Sequence, residues 1–134
     1  MSTDNSLRVR REVVAHLKTF APLTALVAAA HIHGERVPAD PVWPYLRYAA
    51  TTLPYDASCW SGSTHLVSIH AYSNGPYTDS ILQIGAQIVE AMKQFEPDGE
   101  IEVEWANNIG PFNDSPSGET SKYHLVTQFN VTVA

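Results

Sequence analysis

The sequence predicts an α+β fold, a single domain spanning residues 1–134 in which an antiparallel four-stranded sheet carries two or three helices on one face. Two observations lead to this class. Four segments alternate apolar and polar residues with the two-residue period of half-buried strands, and other segments repeat apolar residues every three or four positions. The elements follow the order helix, helix, strand, strand, helix, strand, strand, which indicates two packed layers.

Three helices are predicted. The first covers residues 7–20, after capping residues at positions 4–6. A second, short helix is predicted to start at Pro22, which suits a first helical turn, and to end before Gly34. The third covers residues 78–95 and has the clearest amphipathic stripe. Its apolar residues are Ile81, Ile84, Ile88, Met92 and Phe95.

Four strands are predicted, over residues 45–53, 65–73, 100–106 and 123–133. Each should have one buried and one wet face, as is typical of antiparallel sheets. The residues expected to point into the core are Val67, Ile69 and Ala71, then Ile101, Val103 and Trp105, then Tyr123, Leu125, Phe129, Val131 and Val133. Residues 33–44, 54–64 and 107–120 are predicted to be loops, and loops on a rigid sheet commonly carry binding.

Composition narrows the classes of function that this protein can have. The net charge of -6 argues against a nucleic-acid-binding surface, which needs clustered Lys and Arg. The one basic cluster, at Arg8, Arg10 and Arg11, is expected to be a solvated helix face. Only 16% of residues are charged, so self-association is a reasonable hypothesis.

The single cysteine, Cys59, excludes an internal disulfide and fits a reducing compartment. No apolar run approaches the roughly 20 residues that span a bilayer, so no membrane association is expected. We therefore expect a protein that is made or assembled inside a cell.

Histidines raise the question of a metal site, since His31 and His33 lie close together and four more follow the same chain. Zinc needs three or four converging ligands. Residues two apart near a helix end do not share a face, and His65 and His70, five apart on one strand, should point to opposite faces. The other candidates are His16 and His124. The spacing therefore favours ordinary histidines over metal ligands.

Other catalytic patterns are also weak. Cys59 and His65 could form a thiolate pair, but nothing nearby marks the cysteine as activated. Ser61 stands in "WSGSTH", which lacks the G-x-S-x-G pattern of a nucleophile elbow. Alternate glutamates on one strand face resemble paired catalytic carboxylates, but they are also ordinary on the wet face of a sheet. These glutamates are Glu100, Glu102 and Glu104.

Taken together in order, several stretches resemble the small tail-terminator (tail-completion, head-tail joining) proteins of long-tailed bacteriophages and gene transfer agents. The resemblance rests on their order and spacing along most of the chain. The stretches are "APLTALVAAAHIHGERV", "PYLRYAATT", "GSTHLVSIHAYSN", "SILQIGAQIVEAM" and "GETSKYHLVTQFNVTV".

The resemblance implies a structural role without catalytic, cofactor-binding or metal-binding residues. Members of this family form a hexameric ring that stops polymerisation of the tail tube and offers the docking surface for the head connector or stopper protein. The implied partners are thus other copies of the chain, the tail-tube protein and the connector. DNA would pass through the lumen without specific binding, in a particle whose parts are assembled in the bacterial cytoplasm.

Candidate interface residues lie in the segments predicted as loops. Arg36, beside Glu35 in an exposed arm, is the best candidate for an ion pair between subunits. Large aromatic residues in loops either close the end of a core or anchor an interface. The full set is Glu35, Arg36, Val37, Trp43 and Trp60. Two other functions stay open at this point: a small metal-dependent hydrolase that uses a histidine cluster, and a module that binds an apolar ligand.

Overall fold

The computed structural model describes residues 6–53, 63–74, 78–95, 101–113 and 122–133. Within these ranges the chain forms three α-helices and one five-stranded sheet. The helices are α1 (Ser6–Thr19), α2 (Ala21–Thr24) and α3 (Asp79–Lys93). The strands are β1 (Ile32–His33), β2 (Tyr45–Leu53), β3 (Ser63–Asn74), β4 (Ile101–Asn113) and β5 (Lys122–Val133).

The sheet has the strand order β1-β2-β3-β5-β4, and its long strands are all antiparallel to their neighbours. The prediction of a four-stranded antiparallel sheet was therefore wrong in one respect: β1 adds a fifth strand, parallel to β2. Ile32 and His33 pair with Leu46 and Arg47. Two residues are too few to show a periodic pattern, so only the tertiary pairing reveals this strand.

The helices cover one face of the sheet, as predicted for a two-layer domain. In α3 the predicted stripe is buried along its whole length, from Ile81 to Phe95. In α1 the buried stripe is Val9, Val13 and Leu17, while Leu7 stays 44% exposed. The predicted inward faces of β3 and β5 are confirmed, because Val67, Ile69, Ala71, Leu125, Phe129, Val131 and Val133 are all buried, with Tyr123 packed against the core.

The predicted second helix is interrupted. It begins at Ala21 but ends after one turn, and a separate 3-10 turn covers Ala29–His31. Between them, Ala28 has ψ 144°, which lies outside the helical region. The chain turns there and brings Ile32 beside Leu46 of β2. Leu23 and Val27 keep their helical spacing and are both fully buried, which is why the sequence indicated a continuous helix.

The last predicted loop is partly strand, because β4 continues through residues 107–113. The pairing of β4 with β5 is irregular between Trp105 and Asn107, and again between Ile109 and Phe112. Gly110 lies in the second irregularity with φ 105°, and a Cβ there would be 2.9 Å from the carbonyl oxygen of His124. These irregularities break the two-residue period, so the sequence pattern did not reveal the strand.

Trp105 was predicted to lie in the core, but its side chain is 49% exposed. It pairs with Phe129 of β5, which is buried. Because β4 is the outermost strand, Trp105 has a strand neighbour on one side only. The alternation predicted the burial of Ile101 correctly, since this residue is 8% exposed. Farther along β4, the position of the strand at the sheet edge decides how exposed the side chains are.

Candidate functional site

The arm between β1 and β2, residues 34–44, holds four of the five predicted interface residues. Glu35 accepts an ion pair from Arg10 of α1, with 3.4 Å between Oε2 and Nη1. Both side chains are more than a third exposed, so this surface pair contributes only about 0.2–1 kcal/mol to stability. Arg36 is exposed and forms no ion pair with any described residue, while Val37 is half-buried.

Trp43, at the end of the same arm, packs on the face of the sheet that the helices leave open. Its ring centroid lies 5.0 Å from that of Tyr45 and 6.3 Å from that of Tyr72. The Lys122 ammonium lies 5.8 Å from the Trp43 centroid, within the range of a cation–π contact. Trp43 is therefore partly buried against the sheet. Trp60, the fifth predicted interface residue, lies outside the described residues.

A row of rings crosses the open face, with one ring from each strand. Tyr45 stacks on Tyr72 at a centroid distance of 4.6 Å, and Tyr72 stacks on His124 at 4.4 Å. Their alignment follows from the register, because these residues are direct cross-strand partners. His33 and Phe112 extend the row at each end, 6.2 Å from Tyr45 and from His124 respectively. We call these five residues the aromatic row.

His70 lies beside this row on β3. Its Nδ1 is 2.9 Å from Nε2 of His124, and one nitrogen donates to the other. Burial, followed by the positive charges of Arg47 and His124, lowers the pKa of His70 to about 4. Burial also lowers the pKa of His33, with further contributions from His31 and Lys18. His70 is therefore neutral near pH 7, as a histidine that shares a proton with a second ring requires.

The six histidines form no metal site with one another or with the other described residues. No group of three or more His, Cys, Asp or Glu in the described part of the chain could hold a metal ion. His65 is buried on the helix-covered face, whereas His70 lies on the open face, as their spacing predicted. His16 is committed elsewhere, since its Nε2 lies 2.6 Å from the Ala91 carbonyl oxygen. The proposed partner of His65, Cys59, is not among the described residues, and neither is Ser61.

The described residues also form two open pockets on the surface. The first, about 310 Å³, follows the outer side of α1, and we call it the α1 groove. Its lining residues are Arg10, Arg11, Val14, Ala15, Lys18 and Gly34. The second, about 430 Å³, lies on the outermost strands, and we call it the β4 pocket. Its lining residues are Glu102, Val103, Glu104, Asn130 and Thr132.

The β4 pocket contains two of the three glutamates considered as catalytic carboxylates, and Glu100 lies outside the described residues. Glu102 and Glu104 are both exposed, and each pairs across the ladder with a neutral residue of β5. These exposed carboxylates give the pocket an acidic contact surface. Farther along the same strand, three large apolar side chains are exposed by more than a third: Trp105, Ile109 and Phe112.

The sequence did not foresee the aromatic row. The strands that hold Tyr45, Tyr72 and His124 were predicted, but their pairing was not, and His33 and Phe112 lie in segments predicted as loops. One signal was present: Tyr72 and His124 stand on the wet face of their alternating strands, where large aromatic residues are unusual. The α1 groove and the β4 pocket, by contrast, are lined by charged residues that can be read from the sequence once the strand order is known.

Comparisons with known proteins identify a family and a shared fold. The model of the family described as "Tail completion protein gp17" matches residues 11–134. No curated protein matches the chain. Fifteen chains of solved structures match it, and one belongs to a structure described as the virion of a native gene transfer agent (GTA) particle. The two chains are 13% identical over 96% of this chain and 97% of that one, with a TM-score of 0.73.

At 13% identity this likeness shows a shared fold. The helices in the described ranges are also too short or too polar to cross a membrane.

Proposed function

This chain belongs to the tail completion protein gp17 family, and from this premise we propose that it is a tail terminator. It caps the tail tube as a ring, stops polymerisation of the tube and offers the surface on which the head connector or stopper protein docks. The broader role follows from the family alone: the protein is a structural component of a phage-type virion tail and not an enzyme. The observation that carries the proposal is the match over residues 11–134.

A ring of six copies is the proposed assembly. With -6 on each chain, six chains sum to a formal charge of -36. A negative lumen lets DNA pass without binding, because phosphate contacts need positive side chains. A ring whose pore is lined by Lys and Arg would contradict this part of the proposal.

The arm and the open face supply the proposed contact surfaces for the ring and for its partners in the tail. Glu35 pairs with Arg10 of α1, whereas the neighbouring Arg36 is exposed and is the proposed contact to a partner. Trp43 and the aromatic row present flat rings that are partly exposed, apart from the buried Tyr45, and aromatic side chains of this kind commonly anchor protein interfaces. Val37 and Trp60 complete the proposed interface set.

Particle assembly without the protein tests the proposal. We expect tail tubes of irregular and excessive length that carry no heads, and normal tails when the parent chain is supplied again. Electron microscopy gives the length distribution and the fraction of tails joined to heads. Tails of normal length with heads attached, in the absence of the chain, would show that it is not the terminator.

A single substitution tests the arm. Arg36→Glu should weaken ring assembly while the chain stays folded, because the side chain is exposed. Lys93→Glu, on an exposed position of α3, makes the same change of charge elsewhere and is the matched control. Light scattering of each variant, alone and mixed with the tail-tube protein, reports the mass of the assembly. An intact ring with Arg36→Glu removes the arm from the interface.

A further inference from the structure

The positive charges of the chain are concentrated near one edge of the sheet. Five of the eight Lys and Arg residues lie between positions 8 and 36, and four of these five belong to α1. Two of the α1 cations form ion pairs within the chain. The cations of this region that form no ion pair with a described residue are Arg11, Lys18 and Arg36.

The α1 groove gives two of these cations, Arg11 and Lys18, an apolar floor. Val14 is half-buried and Ala15 is exposed, and together they separate Arg11 from Lys18 along the outer side of the helix. A cationic rim around an apolar floor fits a partner that offers carboxylates next to apolar side chains.

The β4 pocket has the complementary chemistry. Glu102 and Glu104 are exposed and form no ion pair with a described residue. In the sequence, residues 96–104 contain five acidic residues and no cation. Val103 lies between the two glutamates, and exposed Trp105 follows them on the same strand. Val103 is partly buried against the core, so the apolar surface that lies open beside the carboxylates is the 49% exposed Trp105.

The fold places the two surfaces at opposite edges of the molecule. α1 packs on β1 and β2, the first two strands in the sheet order, whereas β4 is the last. One copy thus cannot bring its own α1 groove and β4 pocket together. A two-fold symmetric contact of either surface with itself would oppose like charges. A head-to-tail contact pairs opposite charges and uses both surfaces in every copy, and such a contact forms a ring when its rotation closes.

We infer that the α1 groove of one copy docks against β4 of the next copy, with Arg11 and Lys18 facing Glu102 and Glu104. The occupant of each surface is a second copy of this chain. The inference rests on the proposed ring and identifies the two surfaces that join its subunits.

Two double variants test the contact. Arg11→Glu/Lys18→Glu makes both surfaces acidic, and Glu102→Lys/Glu104→Lys makes both basic. All four side chains are exposed, so circular dichroism and urea unfolding should match the parent. Sedimentation of each variant in low salt, about 50 mM, should show self-association weakened about tenfold or more, because two attractive charge pairs become repulsive.

Mixing the two variants gives the sharpest readout. The acidic α1 groove of the first variant faces the basic β4 pocket of the second, and the reverse contact is equally complementary. The mixture should therefore associate within about threefold of the parent, since the same pairs form with their signs exchanged. A general effect of net charge does not predict that two variants, each of which associates weakly alone, associate normally when they are mixed.

Single substitutions on α3 control for net charge. Lys18→Glu is compared with Lys93→Glu, and Glu104→Lys with Glu90→Lys, because each pair changes the charge equally at an exposed position. Only the first member of each pair should weaken association. In the parent, raising the salt to about 0.5 M should weaken association as well, since exposed charges are screened.

Three outcomes would overturn the inference: parental association in either double variant, no recovery in the mixture, or a parent that stays monomeric at millimolar concentration. None of these affects the terminator assignment, which the tail-length experiment decides separately. Irregular tails in the absence of the chain, together with unaffected charge variants, would keep the terminator and move the subunit contact elsewhere.

Discussion

On the face of the sheet that the helices cover, alternate residues of β3 are apolar and fully buried, as Val67 and Ile69 illustrate. On the open face of the same strand, His70 and Tyr72 stay in partial contact with water and interact ring to ring with a neighbouring strand. The first face is stabilised by the removal of apolar area from water. The second depends on register, because stacked rings must be opposite one another. The helix-covered face therefore requires only apolar side chains, whereas the open face also requires a particular strand register.

A large-to-small substitution on each face should show the largest difference between them in the free energy of unfolding. Phe129→Ala removes a ring that is 1% exposed under the helices, and should lower the free energy of unfolding by about 3–5 kcal/mol. Leu66→Ala, on the half-exposed face, should lower it by about 1 kcal/mol or less. Urea unfolding of both variants measures the difference. Equal losses would mean that the two faces are packed alike.

The open face should also respond to acid. Because the folded pKa of His70, about 4, lies below its ordinary value of 6.5, the unfolded chain binds more protons between these values. The contribution of neutral His70 is complete above pH 6.5 and is lost as the pH falls towards 4. After a discount for the partial hydration of the ring, the loss should be about 2 kcal/mol.

The control for this pH effect is His70→Phe, which keeps a ring beside Tyr72 but cannot be protonated. Its unfolding free energy should fall less steeply between pH 6.5 and 4 than that of the parent, and carboxylates common to both chains cancel in the comparison. Parallel curves for the two proteins would mean that protonation of His70 is not coupled to folding.

Close packing under α3 should make even a single methyl group unfavourable. A Cβ at Gly85 would meet Cδ2 of Leu125, a buried residue of β5. Gly85→Ala should destabilise the protein by about 1–2 kcal/mol, since the clash exceeds the gain of about 1 kcal/mol in helix propensity. Gln83→Ala, exposed on the same helix, should be nearly neutral when both are unfolded in urea. A more stable Gly85→Ala variant would show that Leu125 moves aside freely.

The smallest effect is expected from the stacking itself. Tyr72→Leu keeps apolar volume but removes the ring between Tyr45 and His124, and should lower the free energy of unfolding by about 1 kcal/mol. Thermal and urea unfolding against the parent measure it. An unchanged stability would leave the row without a structural contribution of its own, and would favour a role in contact with partners.

Much of the fold could be predicted from local pattern. The stripe of α3 and the inward faces of β3 and β5 follow from periods that survive in the structure, and β2 has the predicted bounds. The pattern failed where the backbone departs from a regular period. Residues 107–113 belong to a strand with two irregularities, and α2 ends at Thr24 although the apolar spacing continues to Val27.

The candidate site was less accessible to prediction. Arg36 was recognised as exposed, but the ion pair of Glu35 with Arg10 joins residues far apart in sequence. Trp43 was read as either a core end or an anchor, and it packs on rings from two strands. Trp105 was placed in the core because alternation specifies a face, whereas exposure also depends on position in the sheet.

By itself, the sequence determined the layers of this protein, since hydrophobic periodicity fixes which side of each helix and strand must leave water. It also determined the sign of the charge on each element, which is a property of the residues alone. Only the tertiary structure decided which strands are neighbours. That order puts five rings in one row, places β4 at the edge, and sets the α1 groove and the β4 pocket on opposite sides. Strand order depends on contacts between distant segments, and no local pattern encodes it.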